Sequence, residues 1–214
     1  MQPDWASENL QVIRTLMERA TTYRRALAPM MLSTGTIGLA AAIAGWKLEV
    51  AKPTAFILYW LAICAIPLVV SFLLVRRQSL REGEPLWSPP TRRVLQAVLP
   101  ALLSGFAVSL WILVKVTGPG TTPGFESLAV FGCLPAGWVI LYGCSVHAAG
   151  FFMPRGIKLF GWVCIAAGAA VLALGPHQEA TAAFAHGVMG AVFGMLHLAY
   201  GTYLYFTEAR KATA

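Results

Sequence analysis

The chain has 214 residues, 57% hydrophobic and 12% charged, with a formal net charge of +7 and a mean hydropathy of +0.66. A soluble domain carries about 25% charged residues, so this sequence lacks the water-facing side chains a soluble protein needs. The basic excess comes with no recognisable nucleic-acid-binding fold, which argues against nucleic acid as a partner.

The chain opens with MQPDWASENLQVIRTLMERATTYRR, residues 1–25. Arg14, Arg19, Arg24 and Arg25 interrupt it, and no short apolar core precedes a small-residue cleavage site, so it does not read as a signal peptide. Leu10, Ile13, Met17 and Ala20 recur at helical spacing with charge on the other side. They predict a cytoplasmic amphipathic helix, either lying on the membrane surface or docking a soluble protein partner.

Six apolar runs follow, at about 26–46, 54–75, 94–116, 127–149, 157–175 and 182–206. Each is near the ~20 residues that carry a helix across a ~30 Å hydrocarbon core. Backbone amides at that depth have no water to pair with, so each segment must satisfy its own as a helix. The predicted fold is all-α: a polytopic membrane protein with six transmembrane helices in three hairpins over 26–206. A cytoplasmic tail occupies 207–214.

Orientation follows from the basic residues. Thirteen of the sixteen lysines and arginines fall before span one, between spans two and three, after span four, or after span six. Lys47, Lys52 and Lys115 fall on the other side. The positive-inside rule then places both termini in the cytoplasm, as an even number of spans requires. Attraction to anionic lipid is the simplest use of that basic face.

The outer connections are short: WKLEVAKPT, VTGPGTTPGFE and GPHQEAT. The longest connection is cytoplasmic, RRQSLREGEPLWSPPTRR over 76–93, where Glu-Pro, Ser-Pro and Pro-Pro steps oppose a continuous helix. Trp46, Trp87, Trp111 and Trp162 lie where an aromatic belt would sit. Pro67 and Pro135 interrupt spans two and four and predict bends, as ordinary kinks or as a hinge or cavity wall. Cys64, Cys133, Cys144 and Cys164 all fall inside spans with no CxxC pair, and read as packing residues. Spans four and six share a faint echo, GWVILYG against GMLHLAYG, which places Tyr142-Gly143 and Tyr200-Gly201 at matching points. This is weak support for a duplicated hairpin.

Span six carries two histidines in AHGVMGAVFGMLHLAYG. His186, Gly190, Gly194, His197 and Gly201 are spaced four, four, three and four residues apart, within about 80° of helical arc. Gly190 and Gly194 form GxxxG, and Gly201 continues a helix-packing stripe, so the histidines face protein. Structural hydrogen bonding explains them. Haem is the alternative, with His147 and His197 as ligands from two helices. His186 and His197 are roughly 16 Å apart along one helix, too far to share an iron. His177 with His186 would make a shallow metal site, and Met189 and Met195 would admit copper.

Missing chemistry narrows the field further. No carboxylate lies mid-span, which removes the usual coupling group of a transporter. HExxH, P-loop and dinucleotide glycine patterns are absent, and Ser104-Gly105 has no serine-protease setting. These absences argue against an enzyme. A small-solute channel or carrier bordered by Pro67, Pro135 and the Tyr-Gly positions is a further reading.

The stretches ENLQVIRTLMERATTYRRALAP, REGEPLWSPPTR, GWVILYG, FFMPRGIKLFGW and FGMLHLAYG resemble a group of bacterial six-span membrane proteins with no assigned activity. The resemblance spans most of the chain and implies the same fold and an inner-membrane location. It carries over no catalytic or binding residue. The expectation is a non-enzymatic inner-membrane protein whose basic cytoplasmic face, built by the amphipathic helix and the 76–93 loop, contacts lipid or a partner protein.

Overall fold

A computed structural model describes residues 26–83, 85–153, 155–175 and 179–212. The amphipathic segment expected over 1–25 lies outside the described residues. Six helices follow in order: α1 Ala26–Lys47, α2 Pro53–Glu82, α3 Pro89–Thr117, α4 Pro123–Ala149, α5 Arg155–Leu174, and α6, which runs from Ala182 to Ala212. Each contains a stretch long and apolar enough to cross a membrane, and no strand occurs among the described residues. The fold is all-α and compatible with an integral membrane protein.

Helix runs further than the apolar pattern implies. The connection expected over 76–93 is shorter than its composition implies, because α2 continues through its arginines to Glu82 and α3 begins at Pro89. Gly83 closes α2 in the left-handed conformation (φ 65°), with its N–H donating to Ser79 O. Proline needs no N–H in the first turn of a helix, so Pro89 and Pro90 open α3 where a loop was expected. The N-cap Ser88 also shares a hydrogen bond with Thr91 (2.9 Å) and accepts the Arg92 N–H on its carbonyl (3.1 Å).

Two helices widen locally. In α4 the stretch Ser127–Cys133 is a π turn, and Leu134 N–H donates five residues back to Ala129 O. Pro135 follows at once. Lacking an N–H, it gives the carbonyl four residues earlier no donor, and the wider register accommodates the gap. In α6 a second π turn spans Gly190–Leu196, between Ala182–Met189 and His197–Ala212.

Glycine seams hold the core together. Along α6 a Cβ on Gly190 would stand 2.7 Å from the Ala42 side chain, one on Gly194 2.9 Å from Leu39, and one on Gly201 2.9 Å from Leu32. Partner numbers fall as these rise, so α1 and α6 run antiparallel at near-contact of their backbones. The α1 side has its own glycines: a Cβ on Gly35 would meet Leu198 at 2.7 Å, one on Gly38 would land on the Phe193 carbonyl, and one on Gly45 on the His186 ring. A second antiparallel seam joins α4 to α5, where Cβ atoms on Gly143 and Gly168 would each come within 2.8 Å of the opposite backbone. Small residues allow this approach, and dispersion between packed backbones then replaces lipid contact.

The other two helices are less covered. α3 buries a stripe of Gly105, Ser109, Ile112 and Val116, and Ser109 Oγ accepts the Trp138 indole N–H of α4 at 2.8 Å. α2 buries Phe56, Ile57 and Trp60 but leaves Ile66, Leu68, Val69, Phe72 and Leu73 exposed beyond that point. Only 11% of the apolar window of α2 and 17% of that of α3 is buried, against 56% for α4. α2 and α3 thus each give one buried stripe to the core and leave most of their apolar surface facing outward. Trp46, Trp87, Trp111 and Trp162 are all more than half exposed.

The turn between α1 and α2 is tight. Val50 N–H donates to Gly45 O (3.0 Å) and Glu49 N–H to Trp46 O (3.3 Å). That pair of bonds is a Schellman cap, whose left-handed position normally takes glycine. Here the position holds Glu49 (φ 51°), the only described non-glycine residue with positive φ.

Candidate functional site

The α6 stripe places His186 near the start of that helix and His197 eleven residues later, 2% and 0% exposed. Each imidazole is held by partners that settle its tautomer. His186 Nδ1 lies 3.2 Å from the indole nitrogen of Trp60, and Nε2 lies 3.2 Å from Val50 O. An indole can only donate and a carbonyl can only accept. His186 therefore carries its proton on Nε2 and offers its lone pair to Trp60. Phe56 meets the ring edge-on at 5.0 Å, and Gly45 lies directly against it. One side chain thus ties α6 to α1, to the following turn and to α2.

His197 has the opposite tautomer. Its Nδ1 lies 2.8 Å from Val192 O, a carbonyl five residues back in the π turn, so that nitrogen is the donor. Nε2 must then accept, and Tyr142 of α4 donates its hydroxyl at 2.7 Å. Phe160 of α5 packs edge-on at 4.9 Å and continues as a stacked contact with Tyr200 at 4.8 Å. The π turn and the histidine belong together: the widened backbone supplies the carbonyl that the ring takes.

His147 is half-buried on α4, with Nδ1 donating over a long 3.4 Å to Lys158 O and Phe151 and Trp162 against its ring. It lies five residues past Tyr142, the residue that holds His197, or roughly 7.5 Å further along α4. The two share no partner. His177, the other member of the expected His177–His186 pair, lies outside the described residues.

Haem or copper ligation needs an imidazole lone pair facing open space. At His197 that lone pair is capped by the Tyr142 hydroxyl, and at His186 by the Trp60 indole. Met189 is buried while Met195 is 58% exposed, so the two thioethers do not converge. No group of three or more His, Cys, Asp or Glu among the described residues is arranged to hold a metal ion.

The other candidates are bound locally. Ser104 Oγ donates to Pro100 O at 2.8 Å, a bond within its own helix. All four cysteines are free. Of the two Tyr-Gly pairs, Gly143 sits in the α4–α5 seam and Gly201 in the α1–α6 seam. Tyr142 stands out in the sequence only through the Tyr-Gly echo, not as a partner of His197, and nothing in the sequence reading points to Trp60 or to the α1 glycines Gly35, Gly38 and Gly45. The spacing of those glycines on one face of α1 was the available signal.

No protein-family model matches this chain, and no curated protein or solved structure is significantly similar to it.

Proposed function

We propose that the chain is a non-enzymatic integral protein of a bacterial inner membrane, with both termini cytoplasmic, whose arginine-rich rim holds anionic phospholipid. The observation that carries this reading is the disposition of Arg76, Arg77, Arg81, Arg92 and Arg93. All five are exposed, at the adjoining ends of α2 and α3, the two helices with the least-covered apolar sides. Acyl chains against those sides and phosphates against the guanidinium groups satisfy both features together. Each basic residue near an anionic surface contributes about 1 kcal/mol, and guanidinium binds phosphate in a bidentate manner. The saturated histidines support a structural interior. The resemblance to bacterial six-span proteins and the positive-inside pattern support the location and sidedness.

Lipid carried through detergent purification tests the proposal. Phosphatidylglycerol and cardiolipin are expected to be enriched on the wild-type protein, and a variant with all five arginines changed to glutamine is expected to lose most of that enrichment. Identical lipid profiles, or a stoichiometric protein partner lost with the arginines, would overturn it. Sidedness has its own check. Single cysteines at Gly83 and Gly120, in a background without native cysteines, are expected to label from the cytoplasmic and opposite sides respectively. Labelling of both from one side would refute the topology.

A further inference from the structure

At the opposite end of the bundle a cleft of about 470 Å³ opens between the α1–α2 turn and the start of α6. We propose that it binds a small zwitterion, a group bearing an ammonium and an oxyanion a few ångströms apart. The volume is within the range of about 300–1,000 Å³ typical of small-molecule sites. Trp46, Val50, Ala51, Ala182 and Ala183 give it an apolar lining, and the buried His186 also borders it. Two charged side chains also line it, Lys47 and Glu49.

The chemistry of these groups selects the ligand. Both His186 nitrogens are committed, one to Trp60 and one to Val50 O, so the imidazole contributes shape. Discrimination falls to Lys47 and Glu49. They are two residues apart, so their Cα atoms are separated by at most about 7 Å. An ammonium on the carboxylate and a phosphate or carboxylate on the lysine would pair both charges in one ligand. A ligand of single charge would pair only one.

A second observation concerns the backbone under Glu49. A non-glycine residue in the left-handed region costs about 1–2 kcal/mol, and the Schellman position that Glu49 occupies is one that glycine fills without strain. Strain retained at a residue that lines a cleft is a pointer to function. Glycine would close the turn better and would remove the carboxylate. Binding and stability therefore make opposite demands at this one position.

Such a zwitterion has two sources, the headgroup of an aminophospholipid or a free solute such as an amino acid. The test uses the full chain in detergent. Binding of soluble O-phosphoethanolamine, of short-chain phosphatidylethanolamine and of L-alanine is measured by calorimetry, with short-chain phosphatidylglycerol as the control. Wild type is expected to bind at least one of the first three. Glu49→Gly is expected to melt at the same or a higher temperature yet bind that probe at least tenfold more weakly. Lys47→Gln is expected to weaken it similarly, and Ala183→Trp to block it by filling the cleft. Binding of the lipid alone identifies a headgroup site, and binding of a soluble probe identifies a solute site. Failure of all three probes, or wild-type affinity in both Glu49→Gly and Lys47→Gln, would overturn the proposal. Neither result touches the arginine rim, whose phosphatidylglycerol enrichment is read separately.

Discussion

Leucine at Gly38 or Gly194 is expected to unseat α1 from α6, while leucine at Gly137 or Gly187 is expected to be tolerated. At Gly38 the first added carbon would fall on the Phe193 carbonyl, and at Gly194 it would lie 2.9 Å from the Leu39 Cα. Backbone cannot step aside as a flexible side chain can. Overpacking in a close-packed core costs about 1–3 kcal/mol for a few added carbons, and occasionally more. Leucine at a backbone-to-backbone contact belongs at the upper end or above it, a large share of the roughly 5–15 kcal/mol that holds a native protein folded. Around Gly137 and Gly187 an added Cβ meets nothing within 4 Å. Alanine at either control position should even gain about 1 kcal/mol from helix propensity. Size-exclusion profiles and melting temperatures in detergent separate the two classes. Equal behaviour of Gly194→Leu and Gly187→Leu would mean that α1 and α6 are not in contact as described.

Tyr142→Phe is expected to destabilise the protein by about 1–3 kcal/mol, the cost of leaving a buried acceptor without its donor. The hydroxyl is the sole donor to His197 Nε2 in this geometry, because Nδ1 is spent on Val192 O. Replacing both members with phenylalanine should recover part of the loss, since two apolar groups leave nothing unsatisfied. The double variant is therefore expected to be more stable than the two single effects added together. Strict additivity would show that the hydroxyl and the ring do not interact. A stoichiometric Soret band in purified wild-type protein would also defeat this assignment, because Tyr142 would have to leave the ring for iron to reach it.

Some of this structure was legible in the sequence, and the rest depended on contacts between distant residues. The six apolar runs located the helices because crossing length and uninterrupted hydropathy are local properties. Their ends were less legible. Arginines and prolines over 76–93 look like loop on composition, yet arginine favours helix and proline is compatible with its first turn. The spacing of His186, Gly190, Gly194, His197 and Gly201 identifies one face of α6, since helical geometry alone decides which residues share it. It could not say which helix lies opposite. Trp60 is 126 residues from His186 and Tyr142 is 55 from His197, and no periodicity links positions so far apart. The two π turns were illegible for a similar reason: one accommodates Pro135 and the other is bound up with a side-chain bond to Val192. The cleft charges were hidden by their own ordinariness, as Lys47 and Glu49 look like any solvated helix end until the start of α6 is brought beside them.

The antiparallel pairing of α1 with α6 also bears on how the chain is made. Translation delivers α1 first and α6 last, so the grooved side of the first helix must wait through the synthesis of about 135 residues before its partner emerges. Closing so long a loop is slow compared with joining neighbouring helices. A chain that ends before Ala182 lacks all of α6, and would leave the face of α1 carrying Gly35, Gly38 and Gly45 without the helix that packs on it.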